Sequence, residues 1–126
     1  MTRLRSLLPT LGLIALSAAP LLVKADDLRW SPADTVDASY VIAPGKSAEL
    51  CGTVEPRLPV DWQFQANGPL EFNIHRHDGN EIVYATRSYR TRELNGRFSP
   101  TLQRDWCWMW TNEGSVEVAV RVALKR

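Results

Sequence analysis

The sequence predicts an all-β domain: an antiparallel β-sandwich of seven to eight short strands with one disulfide. Three observations carry this. Apolar residues alternate with polar ones along most of the chain after residue 38. Clusters of Gly, Pro, Asn and Asp interrupt the alternation at the spacing of short strands. No stripe at helical spacing stands out after residue 26.

The first 25 residues read as a secretory signal. Arg3 and Arg5 precede an apolar run from Leu7 to Val23, and Val23-Lys24-Ala25 places small or medium apolar residues where a signal peptidase reads. Cleavage is expected after Ala25. It removes Arg3, Arg5 and Lys24, which leaves 12 bases against 14 acids. A net charge of −2 gives no electrostatic footprint for nucleic acid. No later stretch is apolar enough to span a bilayer, so a periplasmic or secreted protein is expected.

Residues 26–37 read as an irregular lead-in, and 38–126 as the domain. Candidate strands cover 38–42, 48–54, 60–64, 70–74, 81–89, 96–100, 105–111 and 116–124. The last is the clearest, with Val116, Val118, Val120, Val122 and Leu124 on one face. Turns are expected at 43–46, 67–69, 78–80, 95–96 and 112–114. In the strand Leu70, Phe72 and Ile74, the opposite face carries Asn73, His75 and His77.

Cys51 and Cys107 are the only cysteines. In an exported domain, an even pair reads as a disulfide. Around Cys107 both strand faces are apolar. Cys107 and Met109 share one, and Trp106, Trp108 and Trp110 the other. An inter-sheet disulfide would turn the indoles outward. Indoles in the core would put the disulfide on the outside of one sheet. Periodicity alone leaves both open.

Four features resemble the GOLD domain, the lumenal β-sandwich of Golgi-traffic cargo receptors. Cys51 follows a Pro-Gly turn. Residues 70–79 form an alternating strand that ends in Asp78-Gly79. Trp106-Cys107-Trp108 is an aromatic-cysteine-aromatic segment followed by Asn112, and a valine-rich strand closes the domain. The resemblance spans residues 38–124. It implies the sandwich fold and the Cys51–Cys107 bridge, while fold alone does not carry the trafficking role over.

Several candidate sites follow. Trp106, Trp108 and Trp110 would form a platform for a protein or a glycan if they face outward. Arg87, Arg90, Arg92 and Arg97, with Tyr84 and Tyr89, form a basic and aromatic cluster that suits a partner surface or a solvated strand edge. His75 and His77, two apart on a strand, can present both imidazoles to copper or zinc, with Asp78 and Glu81 close in sequence. Cys107 and Met109 complete the ligand types of a blue-copper site. The histidines, however, precede Cys107 by some 30 residues rather than sharing a short loop with it.

Catalytic chemistry has no comparable signal. Ser88, Ser99 and Ser115 lack a nucleophile motif, and there is no phosphate-cradling glycine loop or zinc-hydrolase motif. The expected function is an exported, non-enzymatic binding module without a cofactor. The alternative is a periplasmic copper or zinc protein using His75 and His77.

Overall fold

A computed structural model describes residues 23–126. Most of the expected signal segment therefore lies outside the described residues. Seven strands follow in order: β1 (Val23–Asp27), β2 (Thr35–Ile42), β3 (Ser47–Val54), β4 (Val60–Asp78), β5 (Glu81–Phe98), β6 (Arg104–Thr111) and β7 (Val118–Lys125). They form one curled sheet in the order β1-β3-β6-β4-β7-β2, with β5 on the remaining edge of β4. Every pairing is antiparallel except β1 with β3. Among the described residues no helix is long and apolar enough to cross a membrane.

The curl comes from β4. Its first half, Asp61–Ala66, pairs with β7, and its second half, Glu71–His75, pairs with β6. Asn67-Gly68-Pro69 lies between them. These residues, expected to reverse the chain, bend a continuous strand instead. Pro69 has no N–H to give a ladder. At Gly68 the β7 side chain of Val118 comes so close that a Cβ would sit 2.9 Å from its Cγ2. β5 follows the bend through a bulge: Leu70 pairs with Thr91 but Phe72 with Ser88, and Arg90 takes φ 49°.

The bend brings the two halves of the sheet face to face. Phe64, from the half joined to β7, lies 5.9 Å from Trp110 of β6 and 4.9 Å from Phe72. Trp62 and Phe72 are 4.9 Å apart, and Tyr40 of β2 meets Trp110 at 6.1 Å. Alternation supplies this core as expected: Val60, Trp62 and Phe64, then Leu70, Phe72 and Ile74, then Val118, Val120, Val122 and Leu124 are all buried. Val116 departs from the pattern. It is 70% exposed and lies in the loop before β7, where Asn112 donates to its carbonyl.

Three further expectations are corrected. The lead-in is not irregular at either end: Val23–Asp27 runs parallel to Ser47–Cys51, and Thr35–Asp37 already belongs to β2. A cut after Ala25 would take three of the five β1 residues. Asn95-Gly96 is no turn. Gly96 pairs with Trp62 inside the β4–β5 ribbon, and the indole packs over it where a Cβ would lie 2.7 Å from the ring. The expected strands 81–89 and 96–100 are thus one strand, as are 60–64 and 70–74. The reversal at Asp78-Gly79-Asn80 stands, with Gly79 at φ 59° closing a two-residue hairpin loop.

Candidate functional site

The disulfide joins directly opposed residues of β3 and β6, with Cα atoms 4.1 Å apart. Trp108 and Trp110 have no exposed surface and Trp106 has 8%. The indoles therefore fill the core, and the disulfide lies on the outer face. This removes Trp106, Trp108 and Trp110 as an exposed platform for protein or glycan. The interior formed by the bend takes the three indoles with their large apolar area, while Cys107, at 7% exposure, is covered on the opposite face.

Strand register lays out the outer face. One row runs Cys51, Cys107, His75, Tyr84 across β3, β6, β4 and β5. The next runs Glu49, Met109, Asn73, Arg87. A third runs Ser47, Thr111, Glu71, and its two hydroxyls are 2.8 Å apart. His75 is almost fully buried at 2% exposure. Its Nδ1 lies 2.6 Å from Asn73 Oδ1. That oxygen only accepts, so Nδ1 carries the proton and donates it. Nε2 then presents its lone pair 3.5 Å from Glu49 Oε1.

Burial pushes the His75 pKa down from its ordinary value, with a smaller push from His77. Burial also pushes the Glu49 carboxyl up, opposed by the charge of His77. Both shifts favour the neutral forms, so the contact is not a standing ion pair at neutral pH. His77 shares the face, its ring 5.1 Å from that of His75, but it is exposed. Asp78 is taken by Arg76 at 3.3 Å. Among the described residues, one group of three or more His, Cys, Asp or Glu brings its ligand atoms within 4.8 Å of one another: Glu49, Cys51 and Cys107. The pair His75 and His77 gains no third ligand from Asp78 or Glu81.

A groove of about 310 Å³ runs beside this cluster, walled by Glu49, Glu71, His77, Tyr84, Tyr89 and Met109. Glu71 turns Oε2 into a buried position with no hydrogen-bond partner among the described residues. Among the described residues β5, the outer lip, pairs only with β4, which leaves its other edge open. Arg87 stacks its guanidinium 4.4 Å from the centre of Tyr84 and 5.7 Å from that of Tyr89. Tyr84 is 42% and Tyr89 67% exposed. Arg90 sits at the bulge beside Glu71 and Glu113, and Arg92 is exposed further along the strand. Arg97 lies away from the stack, 3.8 Å from Asp61.

Comparison with protein-family models and with curated proteins finds no match. Among solved structures, the chain is similar to PliG of Aeromonas hydrophila, a periplasmic inhibitor of g-type lysozyme. The TM-score is 0.60 at 9% identity, over 82% of this chain and 96% of that one. It is also similar to the Yersinia pseudotuberculosis-derived mitogen, with a TM-score of 0.54 at 13% identity, over 72% of this chain and 84% of that one. At these identities the likeness is one of fold.

Sequence reasoning found His75, His77, the arginine and tyrosine cluster and both cysteines. It passed over Glu49, Asn73 and Glu71 as site residues. Glu49 was reachable, since it stands two residues before Cys51 and so shares its face. Glu71 was not, because its orphaned oxygen depends on how the ribbon bends.

Proposed function

We propose that this chain is an exported, non-enzymatic binding module whose ligand is a protein. The partner would sit against the β5 lip and place a basic side chain in the groove. One observation carries the reading: a buried carboxylate oxygen of Glu71, without a donor among the described residues, lies in a groove beside the exposed Tyr84–Arg87–Tyr89 stack. Leaving such an oxygen without a partner is unfavourable by about 1–3 kcal/mol, and a cationic donor from outside recovers it. Exposed Tyr and Arg are the side chains most often found at the energetic centre of protein interfaces. The disulfide fits an oxidising compartment.

The fold likeness to PliG makes g-type lysozyme the first partner to try. Binding and lytic activity would be measured with the oxidised chain and with Glu71→Gln and Tyr84→Ala/Tyr89→Ala. Saturable binding, weakened at least about tenfold by both changes, supports the reading. If binding withstands both changes, the partner surface lies elsewhere. If the chain binds neither g-type lysozyme nor a panel of other basic proteins, the protein-partner reading fails.

A further inference from the structure

The disulfide lies on the outer face beside His75 and Glu49, whose Nε2 and Oε1 face each other at 3.5 Å. Cys51 and Cys107 oppose each other across β3 and β6. Glu49 is one step along the same face of β3, and its carboxylate lies within 4.8 Å of both sulfurs. His75 is opposite Cys107 on the next strand, with Nε2 3.5 Å from Glu49 Oε1. Glu49 and the two sulfurs thus share one point, and His75 reaches it through Glu49 from the neighbouring strand β4. Donors around a tetrahedral zinc, with bonds of about 2.0–2.3 Å, stand roughly 3.3–3.8 Å from one another. The histidine and carboxylate already have that spacing.

The support of His75 is also that of a ligand. Asn73 takes the Nδ1 proton and fixes the ring, which leaves Nε2 as a free donor. At 3.5 Å the unprotonated nitrogen and the Glu49 oxygen are beyond a good hydrogen bond, and a cation between them satisfies both.

We propose that the dithiol form of this protein binds one zinc-class cation through Cys51, Cys107, His75 and Glu49, and that disulfide formation switches the site off. In the disulfide the sulfurs are bonded to each other and are not thiolates. Two electrons and two protons from an external dithiol reduce the S–S bond to two thiols, and the donor becomes a disulfide. Each Sγ then swings about its own Cα–Cβ bond. Binding of the cation releases both thiol protons. Two thiolates, an imidazole and a carboxylate suit zinc better than a hard cation such as calcium or magnesium. This differs from a site built on His75 and His77. It is independent of the partner-binding reading, which concerns the oxidised groove.

The test is a titration of Zn²⁺ against a chromophoric chelator, with reduced and with oxidised protein, under anaerobic conditions. One Zn²⁺ per chain is expected in the reduced form, at least about 100-fold tighter than in the oxidised form. His75→Gln and Glu49→Gln should each weaken the reduced site by about tenfold or more, and Cys51→Ser should abolish it, while His77→Ala leaves it unchanged. Co²⁺ in place of Zn²⁺ should give thiolate-to-metal absorption and tetrahedral d–d bands. Equal affinity in the two redox states overturns the proposal, as does a loss that follows His77 rather than His75. If reduction unfolds the chain, Zn²⁺ should restore the near-ultraviolet circular dichroism of the buried indoles. Failure to restore it also overturns the proposal.

Discussion

Asn112 is fully buried, and its side chain fastens two loops at one end of the fold. Its amide nitrogen donates to the carbonyls of Ile42 at 2.9 Å and Val116 at 2.8 Å, and its oxygen accepts from the N–H of Gly114 at 2.9 Å. Its backbone joins the β2–β3 turn separately, through Lys46 and Gly45. Asn112→Ala keeps those backbone bonds and strips three groups of their side-chain partner. The bond to Ile42 is buried, while the other two are partly open to water. The buried group should contribute about 1–3 kcal/mol to the loss and the others about 0.5–1 kcal/mol each, or about 2–5 kcal/mol in all. That is a large share of a small domain's stability of about 5–15 kcal/mol. The expected fall in Tm is about 10–40 °C. Asn112→Asp is the informative control. It keeps an acceptor for Gly114 but sets a carboxylate oxygen against two carbonyls, so it should be at least as destabilising at pH 7. Urea unfolding of the oxidised protein, followed by tryptophan fluorescence, measures both. A loss under about 1 kcal/mol for Asn112→Ala would refute the reasoning, as would an Asp variant more stable than the Ala one.

Two other outcomes follow from the packing and the charges. Gly96→Ala should cost about 1–3 kcal/mol in the same unfolding assay, because the new Cβ meets the Trp62 ring at 2.7 Å and the indole must shift. A change in stability near zero would show that the ring moves freely. Stability should also fall as pH drops below 6.5, the ordinary value of His75. The unfolded chain takes up a proton there, while the folded pKa lies lower, so stability present above 6.5 is lost down to the folded value. His75→Gln should remove this slope. Glu49 works in the opposite direction. Its pKa is raised, so the stability it adds is complete below its ordinary value of 4.5 and is lost as pH rises through the folded value. In Glu49→Gln the acid-side loss should therefore appear steeper. An unchanged slope in His75→Gln would mean that other groups govern the acid limb.

Much of the fold was legible because alternation is a strong constraint. A strand with one buried face must repeat every second residue, and the valines of β7 and the two halves of β4 do so. What was not legible depends on contacts far apart in sequence. Asn67-Gly68-Pro69 has turn chemistry, but a bend in a long strand uses the same chemistry. The two differ only in whether 60–66 and 70–78 later share a partner, and here both pair with β5. Asn95-Gly96 misled for a related reason, since its glycine makes room for the Trp62 indole across the ribbon.

The β6 strand makes the clearest case for how local pattern and function separate. Both of its faces are apolar by composition, and no count along the strand says which is inside. The answer comes from volume: three indoles need the interior that the bent β4–β5 ribbon creates, and a disulfide does not. Once the indoles are inside, the rest of the outer face follows from register alone. Cys107 lies beside His75 because neighbouring strands hold their side chains in rows, and Glu49 beside Cys51 because residues two apart on β3 share a face. The same choice that rules out a tryptophan surface therefore gathers the histidine, the carboxylate and the two sulfurs. It moves the functional question from the aromatic strand to the sulfur-and-imidazole face and the groove beside it.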